Sequence, residues 1–501
     1  MFRRVLYMKL LKLTAIVLAV LLIIPCISGC GESYLNATIY FEVNETPVTL
    51  DPQVASTDIE LMVVRNIYEG LLRKSEDGHI ENGVCQSYGV KGLTYTFNLR
   101  RDAKWSDGSP VSSYDFLYAF ERAVTPATKA PFVHRLFSIE NAEAIYNGEK
   151  GVGSLGVEAP DEYTLVITLC REDRNFLKTL TTSICMPCNE EFFEETVGKY
   201  GLERTAVLSN GSYYIGKWNT EDFGIRLYRN KEYNGSFSAQ NNAVFFSERE
   251  EEALDLLCDQ TADIAFIDNS LMERAQSEGL ITISFQNICW VMTVGDEFTP
   301  ELKNAFSSAV SSDIYSSEML SGFAVADTLY PSILSPDHLI SKAGFTSYNI
   351  NRSKRLISEA VKDMPNKRFP QTTIYYYGNP NIKPLVTAIA GHWQQNLSVF
   401  ANIEASNNLS ALQGELNSKT LPFAVFPIVC KTTDEKDYLS SFGITEGGNL
   451  GDIQTKLLEN KDIIPLAFED TNIVTNNLIQ NIYTECENGY IDFSFVIKEE
   501  K

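Results

Sequence analysis

Between Leu93 and Val124 the hydrophobic period of the chain changes once, and that change constrains the fold more than any other stretch. Tyr95, Phe97 and Leu99 alternate with Thr94, Thr96 and Asn98, the period-two pattern of a half-buried strand. Arg100, Arg101 and Asp102 close it. Trp105-Ser106-Asp107-Gly108-Ser109-Pro110 then makes a turn, because Asp-Gly tolerates positive φ and Pro110 bars continued pairing. Ser112, with Asp115 three residues on, has the form of a capping box with Asp in place of Glu. Phe116, Leu117, Phe120 and Val124 share one helical face. The expected unit is strand, turn and capped helix, within an α/β chain.

The N-terminus carries a targeting pattern. Arg3, Arg4, Lys9 and Lys12 precede an apolar run from Leu13 to Ile24 that is short for a membrane span. Ile27-Ser28-Gly29-Cys30 resembles the bacterial lipobox, which implies cleavage after residue 29 and lipid attachment at Cys30; an uncleaved signal anchor is the alternative. The 472 residues that remain suffice for two or three domains. Losing four basic residues moves the formal charge from −23 to −27, a surface that repels nucleic acid and anionic lipid.

Beyond Cys26 and Cys30, eight cysteines, among them Cys85, Cys170, Cys258, Cys289 and Cys430, lie mostly singly in apolar runs, as buried free thiols do. Cys185-Met186-Pro187-Cys188 is a lone C-x-x-C: a redox pair, half a zinc site, or two more buried thiols. No cofactor or metal is called for. The four histidines form no H-E-x-x-H, and no G-x-S-x-G occurs, so a hydrolase has little support.

Tyr95-Thr96-Phe97-Asn98-Leu99-Arg100, Lys104 to Val111 and Asp115-Phe116 together resemble the signature of the family 5 solute-binding proteins, the oligopeptide, dipeptide and nickel-type binding lipoproteins of ABC importers. Leu50-Asp51-Pro52, Tyr68-Glu69-Gly70-Leu71, Asn210-Gly211-Ser212-Tyr213 and Arg229 to Tyr233 fit the same pattern. Asp58 to Leu72 is expected to be a helix, Thr372 to Tyr377 a strand, and Tyr490 to Ile497 an alternating strand that rejoins the first lobe. The resemblance implies a two-lobed periplasmic-binding-protein-like fold (type II, cluster C) with an extra domain in the first lobe. Residues 30–66 and 184–284 would form the first lobe, 67–183 the extra domain, 285–470 the second lobe, and 471–501 the return to the first. Leu302 to Ile314 is similar to a family helix, with Lys303, Ser311 and Ser312 replacing residues that form an ion pair there, so that pair is expected to be lost.

The resemblance also implies site residues. Ser56, Thr57 and Asp58 match a loop that borders the cleft, although they also suit a helix N-terminus. Trp393 matches a family tryptophan near the ligand side chains, with ordinary packing as the alternative. Phe468 and Glu469 follow the return strand at Ile463 to Leu466 and are expected to face the ligand. Peptide binders of the family hold the peptide ammonium on an aspartate within Gly-Trp-x-x-Asp-Tyr. Here the segment reads Pro427 to Thr433, and register from Asp437-Tyr438-Leu439 sets Lys431 at that position. A cation there repels an ammonium, which points to an anionic or blocked-terminus ligand.

The resulting expectation is a monomeric, lipid-anchored binding protein that takes a peptide or other small solute and delivers it to an ABC permease and its ATPase. An orphan receptor or surface interaction protein with a drifted site is the alternative.

Overall fold

The computed structural model describes residues 37–499 except 44–45, 76–78, 220–223, 236–238, 240, 247–249, 311–322, 327, 333, 335–347, 380, 431–434, 445–448, 483 and 486–489. Cys30 and Lys431 lie outside the described residues.

Two long strands, Ile281–Val294 and Ile463–Thr475, run antiparallel and belong to both halves of the molecule. On one side they continue into Phe423–Val429, Thr372–Tyr377 and Ala401–Ser406, and on the other into Ile264–Phe266, Thr38–Glu42, Asn242–Phe246, Gly224–Arg229 and Tyr213–Asn219. The outer strands of each half are partly parallel: Thr38 pairs with Asn242, and Ile374 with Phe423. Thr372–Tyr377 alternates buried and half-buried side chains, as its Thr-Thr-Ile-Tyr-Tyr-Tyr sequence requires. Phe423–Val429 is buried almost throughout, in keeping with its unbroken apolar run.

The pairing of the two crossing strands is interrupted where the halves meet. Gln286 faces Asp470, whereas Ile288 faces Glu469, so Asn287 is an extra residue in a bulge. Asn287 is held there by polar contacts: its Oδ1 accepts from Thr471 Oγ1 at 2.8 Å, and its carbonyl accepts from the Cys430 amide at 2.7 Å. A bulge bends and twists a strand, which turns one continuous sheet into two lobes.

Within the first lobe a separate antiparallel sheet has the order Cys85–Lys91, Thr94–Leu99, Thr164–Thr168, Val157–Asp161. The helix Ser113–Val124 packs on it and starts with the expected capping box between Ser112 and Asp115. Trp105, Phe97, Phe116 and Phe120 are fully buried beneath it. Arg122, in the last turn of that helix, reaches Asp51 Oδ2 at 2.6 Å, tying it to the Leu50-Asp51-Pro52 turn. The Trp-Ser-Asp-Gly stretch is scaffold.

Two local expectations change. The helix predicted from Asp58 to Leu72 ends at Ile67, and Leu72–Lys74 is a short strand paired with Ile80–Asn82. Asn210 holds the Glu69 backbone at both its amide and its carbonyl (3.0 and 2.8 Å), and Gly211 lies so close that a Cβ would meet the Ile67 carbonyl carbon at 2.7 Å. Lys303 pairs with Asp462 at 2.6 Å and Asp296 at 2.9 Å, while Ser311 and Ser312 lie outside the described residues. The segment from Tyr490 to Ile497 is two short strands separated by a turn around Asp492, whose Oδ1 accepts from the Ser494 amide at 3.0 Å. It does rejoin the first lobe. The Phe493 amide donates to Asn66 Oδ1 at 2.8 Å, and Lys498 Nζ pairs with Asp263 Oδ2 at 2.7 Å.

Candidate functional site

A cavity of about 350 Å³ opens where the two lobes meet at the bulge. The first lobe contributes Val43, Asp58, Ile59 and Phe266 to Asn269; the second contributes Ile288 and Asn379; the crossing strand contributes Glu469 to Asn472. Its size suits a small ligand or one part of a longer one.

Asp58 stands at the cavity because it is the first residue of a helix whose N-terminus points there. Thr57 caps that helix. Its Oγ1 accepts from the Glu60 amide at 3.4 Å, and Glu60 Oε2 takes the Ser56 and Thr57 amides at 2.8 and 3.0 Å. Of the three loop positions, Asp58 lines the cavity and Ser56 and Thr57 shape the cap behind it.

Asp268 follows the strand Ile264–Phe266. One of its carboxylate oxygens accepts from the Ser270 amide at 2.8 Å, while the other accepts from Asn381 Nδ2 in the opposite lobe. The turn presenting Asn381 is set by Asn379, whose Oδ1 accepts the Asn381 amide at 2.8 Å. Asn269 and Asn472 join at 2.8 Å, and Asn472 Oδ1 accepts from Ser284 Oγ at 2.6 Å. These amides make a rigid polar floor.

Glu469 is buried, and its Oε2 accepts from the buried Trp290 indole at 2.7 Å. Asp470 is half-buried, and burial alone holds its carboxyl above the usual aspartate range. Asp268, Asp470, Asn379 and Asn472 were not expected from the sequence. The one available signal was the adjacency of Asp470 to Glu469.

Two expected contacts fall elsewhere. Trp393 is fully buried, packed on Phe306 and Phe423 at ring separations of 4.8 and 4.9 Å in the core of the second lobe. It occupies the inward face of the helix Lys383–Leu397 and lines no part of the cavity. Phe468 points into a hydrophobic cluster with Cys289, Tyr330 and Tyr438. Strand periodicity explains this, since Phe468 and Glu469 pair with Cys289 and Ile288 without a register shift and so project from opposite faces of the sheet. Lys431 is outside the described residues, so the anionic-ligand expectation rests on sequence alone.

Cys185 and Cys188 are both free and buried, and burial pushes each thiol up to about 12, so this C-x-x-C is packing. Among the described residues no cluster of metal-binding side chains occurs, and no helix is long and apolar enough to cross a membrane.

The chain matches the family model described as bacterial extracellular solute-binding proteins, family 5, over residues 83–449. Among curated proteins it is 32% identical to the periplasmic oligopeptide-binding protein OppA of Escherichia coli over 226 residues, 44% of this chain and 41% of that one. The Salmonella typhimurium OppA is 26% identical over 374 residues, covering 71% of this chain and 68% of the relative. Among solved structures, Haemophilus influenzae OppA in complex with RPPGFSPFR superposes with a TM-score of 0.77 at 19% identity, covering 93% of this chain and 99% of that one. The murein tripeptide binding protein MppA of Escherichia coli gives the same score at 20% identity, with the same coverage. With a family model matched along most of its length and a ligand-sized cavity between its two lobes, the chain belongs to family 5 of the bacterial extracellular solute-binding proteins, receptors that bind a ligand without performing chemistry on it.

Proposed function

We propose that this protein captures a peptide or peptide-like ligand in the interlobe cavity and hands it to the permease of an ABC importer. The observation that carries the reading is the cavity itself, walled by both lobes at the bulge that joins them. A ligand placed there touches both lobes at once only when they are closed, so it shifts the open–closed equilibrium by its differential affinity for the closed form. The peptide class is supported by relatives named for oligopeptides and by a solved neighbour that holds a nine-residue peptide.

The Ile27-Ser28-Gly29-Cys30 sequence supports tethering of a monomer to the outer face of the membrane by lipid on Cys30. Loss of membrane association in a Cys30→Ala variant would confirm the tether, and unchanged association would remove it. For the ligand, native mass spectrometry of the gently purified protein, followed by calorimetric titration with peptides of two to nine residues, tests the reading. Saturable binding of at least one peptide sustains it. Absence of binding across the series, with a non-peptide solute co-purifying, overturns it in favour of a receptor with a drifted site.

A further inference from the structure

The cavity is a site because two lobes wall it and because the family binds solutes there; its charge is a separate observation, and it concerns Asp470. Residues on either side of Asp470 have partners in the protein: Glu469 takes the Trp290 indole, and Thr471 donates to Asn287. The Asp470 carboxylate lines the cavity with no hydrogen bond or ion pair from any described residue, while its backbone carbonyl accepts from Asn269 Nδ2 at 3.4 Å. An ionised carboxylate taken half out of water without compensation destabilises the protein. The neighbours that share the cavity do not relieve it, because Asp58, Asp268 and Glu469 carry the same sign.

The bulge is what fixes this arrangement. Asp470 pairs with Gln286 at the last position before the register shifts, where the two lobes meet. A group bound to Asp470 therefore sits between the lobes and gains its full electrostatic benefit where water is excluded.

We infer that Asp470 is the specificity-determining residue of the cavity, receiving a positively charged nitrogen of the ligand, an ammonium or a guanidinium. This rests on the reading of the cavity as the ligand site. It opposes in sign the preference that Lys431 implies from the sequence.

The test uses the full chain purified in detergent, with Asp470→Asn alongside. Calorimetric probes are the tripeptide Ala-Lys-Ala, its norleucine counterpart Ala-Nle-Ala, both again with acetylated N-termini, and spermidine as a non-peptide amine. The expected result is that a peptide bearing the recognised cation binds roughly tenfold or more tightly than the match that lacks that one cation, as a charge-assisted contact gives. Asp470→Asn should abolish that preference and keep or raise the unliganded melting temperature. Lysine against norleucine reports a side-chain cation; free against acetylated termini reports the terminal ammonium.

Peptides that bind regardless of charge, or a preference that survives Asp470→Asn, overturn the inference and leave the peptide-receptor reading standing. Binding of spermidine alone, lost in Asp470→Asn, upholds the inference and overturns the peptide reading. Failure of every probe to bind overturns both.

Discussion

Asn381 Nδ2 of the second lobe donates to Asp268 Oδ2 of the first, closing one edge of the cavity with a single hydrogen bond to a charged acceptor. Both partners are half-buried, and Asp268 lines the cavity. The bond spans the two lobes, so it contributes to the arrangement in which they are together.

Asn381→Ala removes that contact without touching either core. Ligand affinity should fall about tenfold, the lower end of what a hydrogen bond to a charged group contributes. The melting temperature of the unliganded protein should stay within about a degree. Titration calorimetry checks the first part and thermal unfolding the second; unchanged affinity would show that the contact plays no part in closure.

Glu469 has a second duty as the acceptor for Trp290, so its substitutions should separate by whether they keep an acceptor. Glu469→Gln should fold with nearly native stability. Glu469→Ala leaves a buried indole N–H unsatisfied and should cost about 1–3 kcal/mol. Denaturant unfolding measures both, and the emission of Trp290 reports its loss of partner.

Asp115 gives a pH signature. Burial raises its carboxyl to about 6, against the opposing effect of hydrogen bonds from Ser112 and Asn189. A folded-state value above the unfolded one means that the folded chain holds the proton more tightly. The contribution is complete below about pH 4, the unfolded value, and is lost as pH rises through about 6. Asp115→Asn cannot ionise, so its stability relative to the unmodified protein should improve between pH 4 and pH 7. Melting temperatures of the two proteins across that range check it, and a constant difference would contradict the assignment.

Thiol labelling should follow burial. Burial pushes the thiols of Cys185, Cys188 and Cys289 up to about 12 and that of Cys85 up to about 11, whereas Cys170 and Cys258 are exposed. In native protein at pH 8 an alkylating reagent should modify Cys170 and Cys258 and spare the other four until denaturant is added. Peptide mapping by mass spectrometry gives the pattern residue by residue.

Much of the fold was legible beforehand. The strand Thr372–Tyr377, the helix after Ser112 and its capping box stand where alternation and capping chemistry put them. The helix from Asp58 was read too long because the contact that stops it comes from Asn210, about 140 residues away. The site was far less legible. Asp58 and Glu469 were anticipated and line the cavity; Trp393 and Phe468 were anticipated and are buried in cores; Asp268 and Asp470 were not anticipated.

Alternation, turn residues and caps act within a few positions along the chain, and for that reason the sequence alone determined which segments become strands and helices and to which family they belong. Which acidic residues meet was decided only in three dimensions. Asp58, Asp268 and Asp470 come from segments about 200 residues apart, and they converge because one extra residue at Asn287 bends two strands at the junction of the lobes. A side chain's exposure to a groove depends on that bend, and no local pattern encodes it.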